Sequence, residues 1–308
     1  MDLTELWKEL SGLKEEVQEL RQGIARLEQE MLDSRGGIKR VIKARGMQIF
    51  CQDPVDELIF SSEASSEERT SLYELLRHYS FRLFLRDVIG KKGSFRAEEL
   101  ARYCSLEIAR RYISSLCELK LAEAMGEGTF RLLKQSLYSF GPTLEWFIAQ
   151  MFQREFASPA MYGVRFKEAP SGGDYDVITL WEERMVYVET KSSPPRGIER
   201  GEIGSFLARI TDLLPDIAFL FNDTQLRMKD KIVLMLEEEL YKRFGASSSN
   251  KFPIDRLVDE LFHINHRIYI VNSKRDAIAN FTLCLRDFLS RQRADLFPIL
   301  PPPHKSNV

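Results

Sequence analysis

Two short runs of this chain place charged groups at strand spacing: Asp174 and Asp176 in GGDYDVI, and Glu189 with Lys191 in VYVETK. A turn at Glu182-Glu183 would set Asp176 opposite Glu189 and Asp174 opposite Lys191. Opposed residues of an antiparallel pair share a face, with Cβ atoms about 4.5–5.5 Å apart. Glu189 and Lys191 share a face as well, because strand side chains alternate with period two. One face of one hairpin then carries two or three carboxylates and a lysine. Carboxylates opposed in this way repel, and a divalent cation between them removes the penalty. Oxygen donors suit Mg²⁺, or Mn²⁺ in its place, held through one or two carboxylates, water and a substrate phosphate. Such an ion lowers the pKa of a bound water, and an adjacent lysine orients that water or neutralises developing charge. The chemistry implied is phosphodiester hydrolysis.

The Glu-x-Lys spacing means little by itself. It recurs at Glu118-Leu119-Lys120, where no aspartate-bearing strand precedes it and surface charge is the simpler reading. The elements around residues 189–191 make the difference. A helix is expected over about 142–156 and carries Glu145. Strands follow at 162–168, 174–181 and 185–191. Val186 and Val188 project away from Glu189 and Lys191, which makes the last strand a buried one with charge at its end. A helix near 201–214 carries Glu202 and Arg209, which face either the site or solvent. Beyond it come a strand at 217–221, a helix near 229–244, a loose insertion at 245–250, a helix at 253–263, a strand at 267–271 and a helix at 275–291. Gly172-Gly173 serves as a flexible entry to the aspartate strand.

The order helix-Glu, GGDYDVI, VETK, helix, strand resembles the PD-(D/E)XK nuclease superfamily, which includes restriction endonucleases and Holliday-junction resolvases. The resemblance covers roughly 141–221. It implies an αβββαβ core with a mixed central sheet. It implies Asp176, Glu189, Lys191 and Glu145 as catalytic residues, and Asp176, Glu189, Glu145 and the Thr190 carbonyl as metal ligands. Asp174 stands where some members carry a second acid, as an accessory group.

The chain has 308 residues, a formal net charge of −2 and a sequence pI near 6.2. It is not basic overall, so any nucleic-acid contact must come from local patches. No apolar run approaches a membrane span, and a cytoplasmic protein is expected. Cys51, Cys104, Cys117 and Cys284 form no CxxC pair, which argues against a disulfide framework or a cysteine-based zinc site. His263-x-x-His266 offers two nitrogen ligands without an evident third, and helix-end polarity is the plainer reading.

Residues 1–33 read as a coiled coil. Leu3, Leu10, Val17, Ile24 and Met31 share one heptad position; Leu6, Leu13, Leu20 and Leu27 share the other. The pattern over 3–31 fits a parallel homodimer, the alternative being one amphipathic helix packed on its own domain. Residues 34–70 read as a connector, basic and then acidic and serine-rich. Residues 71–136 resemble a winged helix-turn-helix domain: a helix over about 71–90, a short helix 96–104, and a third helix N-capped by Ser105 with Ile108, Tyr112, Leu116 and Leu119 inward. A two-stranded wing turns at Gly126-Glu127-Gly128. Third helices of this type enter the major groove, which makes Arg110, Arg111 and Ser114 the DNA-contact candidates. The segment holds 12 Lys/Arg against 8 Asp/Glu, although Glu127 is ill-placed at a wing tip. Residues 137–291 form the nuclease-like domain and 292–308 a Pro-rich tail.

The expected protein is a multidomain α+β chain: a dimeric, Mg²⁺-dependent DNA endonuclease, with RNA as a further possible substrate. It would act in repair, recombination or defence. The alternative is a non-catalytic DNA-binding or scaffold protein that keeps the fold.

Overall fold

A computed structural model describes residues 3–294. Helix α1 runs unbroken from Leu3 to Ala44. Among its heptad residues, Leu13, Val17 and Leu20 are exposed by 60%, 46% and 66%. The side chains of Leu3, Leu6, Leu10, Ile24, Leu27 and Met31 lie outside the described residues. The last turns of α1 differ, since Ile38 and Ile42 are buried. That i, i+4 pair hides within a basic run whose charges occupy other faces of the helix.

The connector expected over 34–70 is therefore built into the fold. After α1, β1 (Ile49–Cys51) pairs antiparallel with a later strand of the main sheet, and Leu58, Ile59 and Phe60 are buried. Helix α2 (Ser66–Arg77) opens with a capping box, in which Ser65 Oγ accepts from Glu68 N and Glu68 accepts from Ser65 N. The single helix expected over 71–90 is two, because His78 adopts ψ 118 and separates α2 from α3 (Tyr79–Gly90).

A small module follows: β2 (Ser94–Arg96), α4 (Ala97–Leu100), α5 (Leu106–Glu118), β3 (Ala122–Gly126) and β4 (Thr129–Leu132). Its strands form a three-stranded sheet in the order β2-β4-β3. Positive φ at Gly126, Glu127 and Gly128 makes the β3–β4 turn. Helix α4 is shorter than expected. The buried stripe of α5 is Ala109, Ile113 and Leu116 rather than the stripe containing Ile108, which is 37% exposed. The two stripes differ by one residue, a rotation of about 100°, and tertiary packing selects between them.

The main unit comprises α6 (Gly141–Glu155), β5 (Ala160–Phe166), β6 (Asp174–Trp181), β7 (Arg184–Lys191), α7 (Arg200–Leu213), β8 (Ile217–Asn222) and α8 (Leu234–Phe244). After them come a short α9 (Ser248–Lys251), β9 (Ile254–Val258), β10 (Leu261–Ile264), β11 (Ile268–Asn272) and α10 (Ala277–Ala294). The helix expected at 253–263 is thus the β9–β10 hairpin, turning at Asp259-Glu260 with φ 49 at Asp259. Ile254, Leu257, Val258, Leu261 and Phe262 fall at helical spacing, and here strand pairing overrides it. Among the described residues the strands order as β1-β5-β6-β7-β8-β11-β10-β9. β8 runs parallel to both β7 and β11, and the other pairs are antiparallel. The result is an α+β protein with one large mixed sheet.

Both faces of that sheet are covered. Val177, Val186, Val188 and Phe219 pack in one layer with α6, α10 and the helices of the small module, so Phe84, Phe95 and Leu116 belong to the same core as Phe147 and Phe281. Tyr187, Ala218 and Leu220 pack in the opposite layer with α7, α8 and the end of α1. Coverage on both sides explains the nearly continuous apolar run Ile217–Phe221.

Candidate active site

β6 and β7 join through a two-residue turn at Glu182-Glu183, both with positive φ. Trp181 pairs with Arg184 and Val177 with Val188, the register the sequence implies. Two left-handed residues match the twist of the flanking strands. Past Val177, a side chain enters the ladder: Asp176 Oδ2 accepts the Thr190 amide at 2.6 Å and the Thr190 hydroxyl at 3.1 Å.

This insertion has a backbone cause. Residues two apart in a strand normally face the same way. Tyr162 and Val177 join the layer containing α6, yet Val164 and Tyr175 join the layer containing α7. The phase reverses at Gly163 and Asp176, which lie between the pairs Tyr162–Val177 and Val164–Tyr175. Gly163 has φ +53, and a Cβ there would sit 2.7 Å from Pro54 Cδ. Only glycine fits this position. Asp53, just before that proline, accepts the Tyr162 amide through Oδ1 at 3.0 Å and donates its own amide to the Tyr162 carbonyl. The 50s segment therefore holds the kink that sets Asp176 between the two layers.

Glu145 approaches from α6, with Oε2 3.8 Å from the ideal Cβ position of Gly163. Its carboxyl is held well above the usual range by loss of solvent, and then by the Asp176, Asp174 and Glu189 charges. Asp176 is only 8% exposed. Burial, then the Glu189 charge, pushes its carboxyl up to about 8, against the opposing pull of Thr190, Lys191 and Arg209.

Glu189 has a different environment. It is buried and accepts from Arg209 Nη1 at 2.9 Å (Oε1) and 2.8 Å (Oε2). Lys191 Nζ lies 3.0 Å from Oε1, and the Tyr187 hydroxyl donates to Oε2. Lys191 also meets Glu202 Oε1 at 3.0 Å. Burial works against the Lys191 charge, but Glu189 and Asp176 outweigh it and hold the amine above its ordinary range.

Helix α7 supplies two of these partners. Glu202 and Arg209 are seven residues apart, two turns, and so share a face. Glu202 is fixed by a capping box, its Oε2 accepting the Glu199 amide at 2.8 Å, which leaves Oε1 for Lys191. Arg209 rests on Gly173, where a Cβ would stand 2.7 Å from Nη2 and φ is +76. The Gly-Gly entry is thus the floor under the Arg209 guanidinium. Both α7 residues were left undecided by the sequence, and their i, i+7 spacing was the available signal.

The other candidates are placed as follows. Asp174 turns to Arg165, 3.5 Å away, rather than to Lys191, because the strand phase reverses next to it. Arg110, Arg111 and Ser114 are exposed on α5; Arg110 pairs with Glu98 and the Ser114 hydroxyl donates to Glu118. His263 and His266 lie on β10 and the turn after it, not on a helix.

The donor set suits a hard divalent cation. Among the described residues, Asp176 Oδ1 and the Glu145 carboxylate accept no hydrogen bond, and the Asp176 charge disfavours that of Glu145. Mg²⁺ is bound through one or two carboxylates, with water and phosphate completing its shell. Glu189 joins such a set only when Arg209 releases an oxygen.

Comparison with known proteins adds little. No family model matches the chain, and none of the curated proteins does. The fold superposes on protein VC1899 from Vibrio cholerae with TM-score 0.48 and 14% identity, over 82% of this chain and 62% of that one. It superposes on Can2 from Sulfobacillus thermosulfidooxidans, a structure in complex with cyclic tetra-adenylate, with TM-score 0.40 and 10% identity, over 82% and 60%. The chain spans about three-fifths of the length of each.

Proposed function

We propose that this protein is a metal-dependent endonuclease that hydrolyses phosphodiester bonds in DNA. One observation supports the reading: Glu145, Asp176, Glu189 and Lys191 come from a helix and both strands of one hairpin, with Lys191 on Glu189, Asp176 on the neighbouring Thr190, and the Asp176 and Glu189 charges raising the Glu145 carboxyl. A divalent cation bound there, Mg²⁺ or Mn²⁺, would supply Lewis-acid stabilisation and a water of lowered pKa. Asp176 Oδ1 and Glu145 are the residues that would hold it, with the Thr190 carbonyl and Glu189 completing the set. Lys191 stands beside Glu189 and offers a positive charge to the attacking water and the scissile phosphate. Thr190, through its amide and hydroxyl, fixes the Asp176 carboxylate so that one oxygen faces the site.

The small module supports a DNA-bound role. With α3 ahead of it, its order β2-α4-α5-β3-β4 and strand order β2-β4-β3 resemble a winged helix-turn-helix, and Arg110, Arg111 and Ser114 are exposed on the helix that would enter the groove. The heptad face of α1 pairs two copies in this reading, which places two sites on one duplex or branched substrate.

The test is cleavage of plasmid and branched DNA with Mg²⁺ by wild type, Glu189→Ala and Lys191→Ala. Cleavage by wild type alone is expected. Equal cleavage by all three, or none by wild type with either Mg²⁺ or Mn²⁺, rejects catalysis. A second reading, a non-catalytic DNA-binding or scaffold protein, is favoured by the full occupation of Glu189 by Arg209, Lys191 and Tyr187. It predicts binding through α5 without cleavage.

A further inference from the structure

His263, His266 and Asp287 form the one set of three His, Cys, Asp or Glu residues, among those described, whose ligand atoms all lie within 4.8 Å of one another. The histidines come from β10 and the β10–β11 turn. Three residues apart on a straight strand, they would point to opposite faces. Positive φ at Asn265 and His266, 52 and 54, wraps the chain back on itself. The two imidazoles then stack with centroids 3.8 Å apart. The third member, which the sequence did not reveal, arrives from α10.

The set is partly buried and already oriented. His263 is 4% exposed, and the side chains of His266 and Asp287 are 24% and 13% exposed. Asp287 Oδ2 lies 2.7 Å from His266 Nδ1 and accepts from the Tyr269 hydroxyl at 2.9 Å. Tyr269 is itself buried and anchored in the sheet. Asp287 Oδ1 and the Nε2 atoms of both histidines make no hydrogen bond among the described residues. The Tyr269 hydroxyl steers the Asp287 carboxylate from outside the set, as an outer-shell partner does.

We propose that His263, His266 and Asp287 bind one divalent transition-metal ion, Zn²⁺ by preference. Two imidazoles and one carboxylate are a borderline donor set that suits Zn²⁺ over Mg²⁺ or Ca²⁺. Tetrahedral ligands sit roughly 3.4 Å apart at ordinary zinc–ligand distances, so the His266–Asp287 contact opens by less than 1 Å to admit the ion. Water takes the fourth position on the exposed side. The site is separate from the candidate active site. It lies near the start of β11, where Ile268 pairs with Ala218 at the beginning of β8, whereas Lys191 pairs with Asn222 at the end of β8. The bound ion ties α10 to β10 and the β10–β11 turn.

The test uses the full-length, tag-free protein, stripped with a chelator and dialysed against Zn²⁺, with metal content measured by mass spectrometry. One tightly held equivalent is expected in wild type and in Asp176→Asn, and none in His266→Gln. Tyr269→Phe keeps the ion with affinity lowered about 10-fold. Co²⁺ in place of Zn²⁺ gives the visible absorption of a four-coordinate ion. Circular dichroism of each metal-free variant verifies that it is folded. A folded wild type that retains no zinc overturns the site. So does an equivalent lost in Asp176→Asn but kept in His266→Gln.

Discussion

Arg209 Nη1 donates to both carboxylate oxygens of Glu189, at 2.9 and 2.8 Å, inside a site where Glu189 is 1% exposed. A residue expected to hold a cation is thus already neutralised by the protein. Removing one partner of a buried pair leaves the other charge uncompensated, at a cost of about 3–5 kcal/mol. Lys191 remains beside Glu189, so the lower end applies. Arg209→Gln is expected to lower the unfolding free energy by about 3 kcal/mol without metal, and saturating Mn²⁺ is expected to restore most of that loss. Denaturant melts with and without Mn²⁺ check this. A Mn²⁺ gain no larger than in wild type counts against Glu189 as a latent ligand.

Gly173 supports the same arginine. A side chain there meets Nη2 at 2.7 Å on a backbone with φ +76, so Gly173→Ala is strained twice. A loss of about 1–3 kcal/mol is expected. Combining Gly173→Ala with Arg209→Gln should cost less than the sum of the two, because the clash disappears with the guanidinium. A double-mutant cycle that proves additive would show that the two positions do not touch.

Asp176 gives metal-free stability a definite dependence on pH. Its carboxyl is raised to about 8, whereas an unfolded chain releases that proton near 4. The folded state therefore binds an extra proton between those values, and stability falls as pH rises through the window, by at most about 1.4 kcal/mol per unit. Glu145, also raised, acts with the same sign. Chemical denaturation of metal-free protein at pH 6 and pH 8 is expected to show this loss, with a flatter profile in Asp176→Asn. Mn²⁺ binding should release protons, measurable by calorimetry in buffers of different ionisation enthalpy. A wild-type slope equal to that of Asp176→Asn would refute the assignment.

The heptad face of α1 predicts an oligomer. Residues 34–308 keep Ile38 and Ile42, which are buried in the main core, so this truncation should remain folded. Light scattering is expected to report a dimer for the full chain and a monomer for 34–308. A dimeric truncation would transfer the interface to the core.

Much of the site was legible because hairpin chemistry is local. A two-residue turn and period-two alternation give the register from Trp181–Arg184 to Val177–Val188 without any long-range knowledge, while Asp176 falls just past the paired residues. Arg209 as the partner of Glu189 and Glu202 as the partner of Lys191 were not legible. Whether Glu202 and Arg209 face β7 depends on how α7 is rotated on the sheet, which the sequence of α7 does not state. The turning of Asp174 toward Arg165 follows from the phase reversal at Gly163, and that reversal rests on Pro54, more than a hundred residues away in the chain. Residues 34–70 read as a connector because their charges outnumber their apolar stripe. The helix expected at 253–263 failed for another reason: Ile254, Leu257, Val258, Leu261 and Phe262 fall at helical spacing, and strand pairing with β11 overrides that local pattern.

Arg82 on α3 is buried against Asp223, with Nη2 2.9 Å from Oδ1, and Ser273 joins them. Asp223 follows β8 directly and donates its amide to the Lys191 carbonyl at 2.8 Å, while Arg86 on the same helix reaches the Ser192 carbonyl at 3.0 Å. Asp223→Ala is expected to cost about 3–5 kcal/mol, and Arg82→Met combined with Asp223→Leu to recover a large part of it. Urea titration of wild type and the two variants decides this, and a double variant no better than the single would argue against a buried charge as the cause.

That contact also has a mechanical meaning. The module carrying α5 and the strand end carrying Lys191 share one core and one salt bridge, with no slack segment between them. If the proposed function holds, a duplex that touched both surfaces would meet a fixed spacing, and the bending needed to reach the second surface would fall on the nucleic acid. Flexible substrates, with a nick, a branch point or an unpaired stretch, would then seat at lower cost than a straight helix. Selection of that kind would come from stiffness alone, without any side chain reading a base.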